Sequence, residues 1–314
     1  MKKVTIIINC HNGAEHLEDA LSSIKKQTFS GWEILFCDNQ SHDRSTDIAK
    51  NFDGDLHYFR TKSFISLGEA RAISMEMVKT PYLCYLDVDD LWHPEKIQDQ
   101  LNLIESDNYS LVYSGIKLIN PKGEEIGSYI PRNSSGYIFP SLLKQFDINM
   151  VTPMINLNFL RENNLNFSKE MEASEEYNLF MKMAAISKVG IIKKIHGYYR
   201  VDENSLTNQF SERWHIERKL TLEEIKASNP KLADIYSEEF NQASNRGIYY
   251  HACYLVGMDD VDGAKKLMAI LANQNIIYFL LNMLLNISVK LWKIIHRREI
   301  KEILGKWAAI FFRK

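Results

Sequence analysis

The most constraining feature of this 314-residue sequence is the alternation, over its first 115 residues, of short apolar runs with longer amphipathic stretches. Val4 to Ile8 is a continuous β-branched run, the pattern of a strand covered on both faces in a parallel sheet. Leu17, Ala20, Leu21 and Ile24 then fall on one helical stripe. The order repeats: strands at Trp32 to Cys37 and Leu56 to Phe59, and helices beginning near Ser45 and running from about Gly68 to Lys79. Pro81 opens the apolar run that ends at Asp87, a helix starts near Pro94, and Leu111 to Tyr113 is a further strand. Repeated strand–helix units predict an α/β domain with a mostly parallel central sheet, flanking helices and right-handed crossovers.

Such sheets bind ligands beyond the carboxyl ends of their strands. Three polar clusters fall there: Cys10 to Gly13, Asp38 to Asp43, and Asp87 to Asp90. Clustered carboxylates on a turn can hold Mg²⁺ or Mn²⁺ against a diphosphate, although acidic turns after strands are also common solvated loops. Asp38 can accept a hydrogen bond from the imide N–H of a uracil or thymine ring, whereas Asp43 and Ser45 are explained by turn and cap chemistry. Glu175 and Glu176 open a helix from Ser174 to Ser187. The helix dipole alone favours acid there, and one carboxylate directed into the cleft could deprotonate an acceptor hydroxyl. Neither a Gly-x-Gly-x-x-Gly nor a Walker A sequence follows a strand, which argues against dinucleotide and P-loop readings.

Residues 116–170 read as hairpin and loop, with short strands expected around Ile191 and Tyr198 and helices throughout from about Ser211. A formal net charge of −2 gives no electrostatic case for nucleic acid. The charge is uneven: Lys290 to Lys314 holds eight Lys/Arg against two Glu, a basic amphipathic tail suited to anionic lipid or to packing, as a helical hairpin, on its own domain or on a second subunit. Residues 267–289 lack charge, but Asn273, Gln274, Asn275, Asn282 and Asn286 interrupt them, against a membrane-spanning helix. Four widely spaced cysteines without metal spacing read as buried thiols of a reducing compartment. The N-terminal apolar run lacks the features of a signal peptide. Cytoplasmic location is the expectation, with peripheral contact at the inner face of the cytoplasmic membrane through 276–314.

In combination, these residues resemble the family 2 glycosyltransferases, inverting enzymes of the GT-A fold. The resemblance runs through VTIIINCHNG, CDNQSHDRS, LGEARAISMEM, YLDVDDLWHP, SEEYNLFMKMA and YYRVDENSLT, roughly residues 3–207. Asn9 stands where the family usually has proline, Ala72 where it has Asn, Glu176 where it usually has Asp, and Asp202 where it often has His. The resemblance implies a nucleotide-sugar donor, UDP-linked by default, and a glycan or lipid-linked glycan acceptor. It implies nucleotide contacts at Asn12, Asp38, Arg71, Asp87 and Val88, and a sugar contact at Asp90. Asp89 and Asp202 would bind Mn²⁺ or Mg²⁺, Arg200 would offset charge at the diphosphate, and Glu176, with Glu175 beside it, would supply the base. The implied organisation is a GT-A domain over 1–210 (donor half 1–115, acceptor half 116–210) and a helical region over 211–314. The replacements at Glu176 and Asp202 leave a second reading, a catalytically inactive binding or scaffold subunit. A nucleotidyltransferase sharing the acidic turn is a third, disfavoured by the missing Gly-rich phosphate loop.

Overall fold

The computed structural model of the chain describes residues 2–201 and 212–296. Strands β1 (Val4–Cys10), β2 (Trp32–Asp38), β3 (Leu56–Arg60) and β4 (Tyr82–Tyr85) alternate with helices α1 (Leu17–Lys25), α2 (Ser45–Lys50) and α3 (Leu67–Met77). These are followed by β5 (Leu91–Trp92), α4 (Lys96–Ile104), β6 (Leu111–Ile119) and β7 (Glu125–Tyr129). Then come α5 (Phe139–Lys144), β8 (Met154–Asn156), α6 (Leu157–Glu162), α7 (Glu175–Ile186) and β9 (Val189–Arg200). The sheet order is β3-β2-β1-β4-β8-β6-β9-β5, with β7 on the edge of β6. β1 pairs in parallel with β2 and β4, β2 with β3, and β6 with β9. β8 runs antiparallel between β4 and β6. Among the described residues, β1, β2, β3, β4, β6 and β9 therefore point one way, and the sheet is mostly parallel.

The periodicities account for these elements. β1 is buried almost throughout, as a strand with helices on both faces must be. α1 buries Leu17, Ala20, Leu21 and Ile24, the stripe read from sequence. α3 starts at a serine N-cap: the Ser66 hydroxyl accepts the Glu69 N–H at 3.2 Å, satisfying one orphan amide of the first turn. Gly68 follows because a Cβ there would lie 2.5 Å from the Met171 carbonyl oxygen and 2.7 Å from that of Ser168. Only glycine lets α3 approach that closely to the chain leading into α7.

The 116–170 stretch departs from the hairpin-and-loop expectation. Its hairpin, β6–β7, is present, but α5, β8 and α6 follow. The two strands expected around Ile191 and Tyr198 are one, β9.

The helical remainder comprises α8 (Trp214–Ser228), α9 (Pro230–Ile235), α10 (Ser237–Gly257), α11 (Val261–Ala272), α12 (Ile276–Ile287) and α13 (Val289–Ile295). Leu222 and Ile225 of α8 and Phe240 and Ala243 of α10 share a core with Tyr85, Tyr113, Tyr177 and Phe180. The first part of this region is thus built into the α/β domain. The later helices close a separate small core of Ala252, Val256, Ala264, Met268, Leu271, Leu285 and Trp292. The uncharged 267–289 run is split because the Asn275 side chain accepts the Tyr278 N–H and caps α12. No described helix is long and apolar enough to cross a membrane.

Candidate active site

β1 and β2 end level, Cys10 pairing with Asp38, while β4 ends at Tyr85 opposite Ile7, so that the acidic turn after it runs on toward the end of β1. The loops after β1 and β2 interlock. Asn12, at φ 55°, donates its N–H to the Ser41 hydroxyl at 3.1 Å and accepts the His42 N–H on Oδ1 at 2.8 Å. Gly13 N–H reaches Ser45 Oγ at 2.9 Å, and Ala14 N–H reaches Asp43 Oδ2 at 2.9 Å. A Cβ on Gly13 would fall 2.7 Å from Cγ2 of Val88, so this loop rests directly on the acidic turn.

Asp38 is fully buried. Its Oδ1 accepts the Ser41 N–H at 2.7 Å; its Oδ2 accepts Thr46 Oγ1 at 2.7 Å, Tyr58 OH at 2.6 Å and Arg60 Nη1 at 2.8 Å. Burial alone would raise its pKa, but these donors outweigh it and hold the carboxyl below its usual range. Asp38 therefore organises the crevice floor, and Arg60, partly exposed, lies over it. Asn39 holds the neighbouring loop, donating to the Ile65 carbonyl at 2.8 Å and accepting its N–H at 3.1 Å. That loop carries Phe64, 64% exposed, whose ring meets exposed His11 edge-on at 4.7 Å between centroids. His11 and Phe64 form an aromatic surface at the mouth that no periodicity announced. His11 lies within the quoted VTIIINCHNG, and its type was the available signal.

The acidic turn divides its carboxylates. Asp87 and Asp89 are half-buried. Asp90 is buried, and its Oδ1 accepts the Arg200 backbone N–H at 2.8 Å. Burial, with Asp89 and Asp87 beside it, pushes the Asp90 carboxyl well above its usual pKa. Arg200, at the end of β9, donates Nε to the Asp89 carbonyl at 2.8 Å and Nη1 to the carbonyls of Asn120 and Pro121 at 3.2 and 2.9 Å. Its guanidinium thus ties the turn to the β6–β7 hairpin. Asp202 lies outside the described residues, as does the tail from residue 297.

Arg71 joins the turn to α7. From α3, almost fully buried, it donates Nη1 to Glu175 Oε1 at 2.6 Å and Nη2 to Asp87 Oδ1 and Oδ2 at 3.1 and 3.3 Å. Burial opposes its charge, yet Asp87, Glu175 and Glu176 outweigh that and hold it protonated. Glu175 is buried against this cation, while Glu176 is half-open. Burial first, and then the Glu175 charge, push the Glu176 carboxyl up to about 7. The adjacent glutamates therefore differ: one anchors Arg71, and the other has the accessibility and proton affinity of a general base. Glu217 of α8 supports them from behind, its buried carboxylate accepting the N–H groups of Glu172 and Ala173 at 3.0 Å each. Sequence reading missed this residue, because its partners are more than 40 positions away.

For a divalent ion, the donor set has the right chemistry. Asp87 and Asp89 are hard oxygen ligands, and Mg²⁺-type sites use one or two carboxylates completed by substrate phosphates. Among the described residues, the grouping of three potential ligands within 4.8 Å of one another is instead Glu33, Asp55 and His57. Glu33 lies five residues before Asp38 on β2, about 17 Å toward the opposite end of the sheet.

Comparison with known proteins follows this geometry. The family model described as Glycosyl transferase family 2 matches residues 5–168. An uncharacterized glycosyltransferase of Rickettsia felis is 31% identical over 195 residues, 61% of this chain and 32% of that protein. The chain spans 38% of a similar Rickettsia conorii protein, so it matches only a minor part of either relative. The UDP-Glc:alpha-D-GlcNAc-diphosphoundecaprenol beta-1,3-glucosyltransferase WfgD of Escherichia coli is 25% identical over 213 residues, 67% of this chain and 81% of WfgD. Among solved structures, S. aureus TarS 1-349 in complex with UDP-GlcNAc matches with a TM-score of 0.66 at 16% identity, covering 97% of this chain and 92% of that one. At that identity the likeness shows the fold.

Proposed function

Because the chain belongs to glycosyl transferase family 2, we propose that it is an inverting glycosyltransferase with Glu176 as its base. The observation that carries this reading is the Glu176–Glu175–Arg71–Asp87 arrangement. A half-open carboxylate, pushed up to about 7 by burial and the Glu175 charge, lies one residue from an anchored one, linked through a buried arginine to the donor-side acidic turn.

The donor is proposed to lie across the ends of β1, β2 and β4. The nucleobase would rest on the His11–Phe64 surface, above the Asp38–Arg60 pair. Asn12, Val88, Asp87 and Arg71 would frame the nucleoside, and Asp90, through its bond to β9, would fix the turn beside the sugar. UDP is the favoured nucleotide: WfgD is named for UDP-Glc, and TarS is described in complex with UDP-GlcNAc. Asp89, with Asp87, would hold Mn²⁺ or Mg²⁺, whose charge would offset that of the diphosphate. Arg200 supports the same turn from its carbonyl side. The acceptor is proposed to be a hydroxyl of a glycan, lipid-linked as in the named activity of WfgD.

In the reaction, Glu176 takes the proton of that hydroxyl as its oxygen attacks the anomeric carbon. The bond from that carbon to the diphosphate breaks, its electron pair leaves with the nucleotide, and configuration inverts. Holding the reactants in line supplies most of what such a displacement needs.

A melting screen with UDP, dTDP, GDP and CDP, each with and without Mn²⁺, tests the donor assignment. Ligand at a hundredfold excess over Kd adds about 2.7 kcal/mol. Metal-dependent stabilisation by UDP is expected, whereas stabilisation by none of the four nucleotides would favour a binding or scaffold subunit.

A further inference from the structure

Helix α12, IIYFLLNMLLNI, carries no charge, and its polar side is limited to Asn282 and Asn286, the composition of a helix largely covered by protein or lipid. It is surrounded by neither on one face. Tyr278, Leu281 and Leu285 pack into the small C-terminal core. Ile276, Leu280, Met283 and Ile287 recur at helical spacing on the opposite side and are 67%, 57%, 45% and 72% exposed. Phe279, 45% exposed, and Ile277, 57% exposed, widen the stripe to either side. A contiguous apolar face of this kind marks an interaction surface.

We infer that this face is a membrane-docking surface, with α12 lying in the headgroup region of an anionic bilayer. Twelve residues of helix span about 18 Å, well short of the roughly 30 Å of hydrocarbon, so α12 can lie in a leaflet but not cross it. Charge selects lipid over a second copy of the chain. From Asp259 to His296 there are four lysines, Lys265, Lys266, Lys290 and Lys293, against three acids, Asp259, Asp260 and Asp262, and Lys293 pairs with Asp259 at 2.8 Å. Residues 297–314 add six Lys/Arg against two Glu. Two copies meeting through α12 would bring two segments of net positive charge together at a cost, whereas anionic headgroups attract them. Apolar insertion flanked by basic side chains is the composition of interfacial helices. The surface would hold the sugar site near a lipid-linked acceptor, and its binding to lipid is independent of the donor chemistry.

The test uses the full chain with vesicles of phosphatidylglycerol and of phosphatidylcholine, at low and high salt. Wild type should co-sediment with the anionic vesicles, about tenfold less with the zwitterionic ones, and less at high salt. Leu280→Asp/Ile287→Asp should reduce anionic binding at least about tenfold without altering melting temperature or donor turnover, because both side chains are exposed. Equal binding of wild type to the two lipids, binding to neither, or unchanged binding by the variant would overturn the inference. A wild-type dimer in light scattering, separated by the same substitutions and indifferent to vesicles, would assign the face to a second copy. Failure to bind vesicles with turnover intact would remove the docking surface and leave the proposed activity standing.

Discussion

Glu176 should impose an acid limb on the pH–rate profile. Its carboxyl is pushed up to about 7, first by burial and then by the charge of Glu175. A base must be ionised to act, so the competent fraction should be about one half at pH 7, a tenth at pH 6 and a hundredth at pH 5. A glutamate at the ordinary pKa of about 4.3 would stay more than nine-tenths ionised down to about pH 5.3. The two cases thus differ roughly tenfold in kcat/KM at pH 6. The assay is release of nucleoside diphosphate at sub-saturating donor from pH 5 to 9, with fixed ionic strength and metal. Glu175→Gln removes a charge that raises the Glu176 pKa and should move the limb to lower pH. It also withdraws an anion from Arg71, so the maximum rate should fall as well. A wild-type profile flat from pH 5 to 8, or a limb unmoved in Glu175→Gln, would refute the reasoning.

The same ionisation affects stability. The folded state holds a proton on Glu176 that the unfolded chain has released between about pH 4.3 and 7, so stability falls as pH rises through that window. Glu176→Gln should therefore melt progressively higher than wild type as pH rises through it, and no differently below pH 4. Asp38 works in the opposite sense. Its lowered pKa contributes stability that is complete above about pH 4 and is lost on further acidification, and Asp38→Asn should flatten that acid loss in denaturant titrations. Glu217→Gln keeps one acceptor for two N–H groups and turns an amide donor toward them. It should cost about 1–3 kcal/mol in chemical denaturation and reduce turnover by loosening the start of α7. Gly13→Ala would press a methyl into Val88; it should raise the donor KM while leaving the acid limb near pH 7.

The strand ends were legible because three apolar runs end in polar clusters, and that pattern alone aligns Cys10, Asp38 and Asp87 along one edge. The 116–170 stretch was not. α5 and α6 have six residues each, under two turns, too short for a 3.6-residue period to separate helix from loop. The β9 sequence reads as two strands because exposed Lys193 and Lys194 interrupt its apolar pattern, and its pairing with β6 shifts register around Gly115. The acidic residues were visible as types but not as environments. Nothing local distinguishes Glu175 from Glu176, since their difference is set by Arg71, 104 positions away. The ring of donors around Asp38 likewise comes from two elements, with Thr46 on α2 and Tyr58 and Arg60 on β3. The described part of the C-terminal region resolved into a portion built into the main core and a portion with its own, a division that composition did not disclose.

In the proposed reaction Glu176 removes the acceptor proton at a donor site it does not itself build. The most direct test measures UDP-sugar binding by calorimetry and UDP release in the presence of a lipid-diphosphate-linked saccharide, for wild type and Glu176→Gln side by side. Donor affinity should be unchanged within about threefold and turnover lowered by at least about 10²-fold, within the roughly 10²–10⁴ that a general base contributes. Turnover within tenfold of wild type in Glu176→Gln, with donor bound normally, would contradict this role of Glu176.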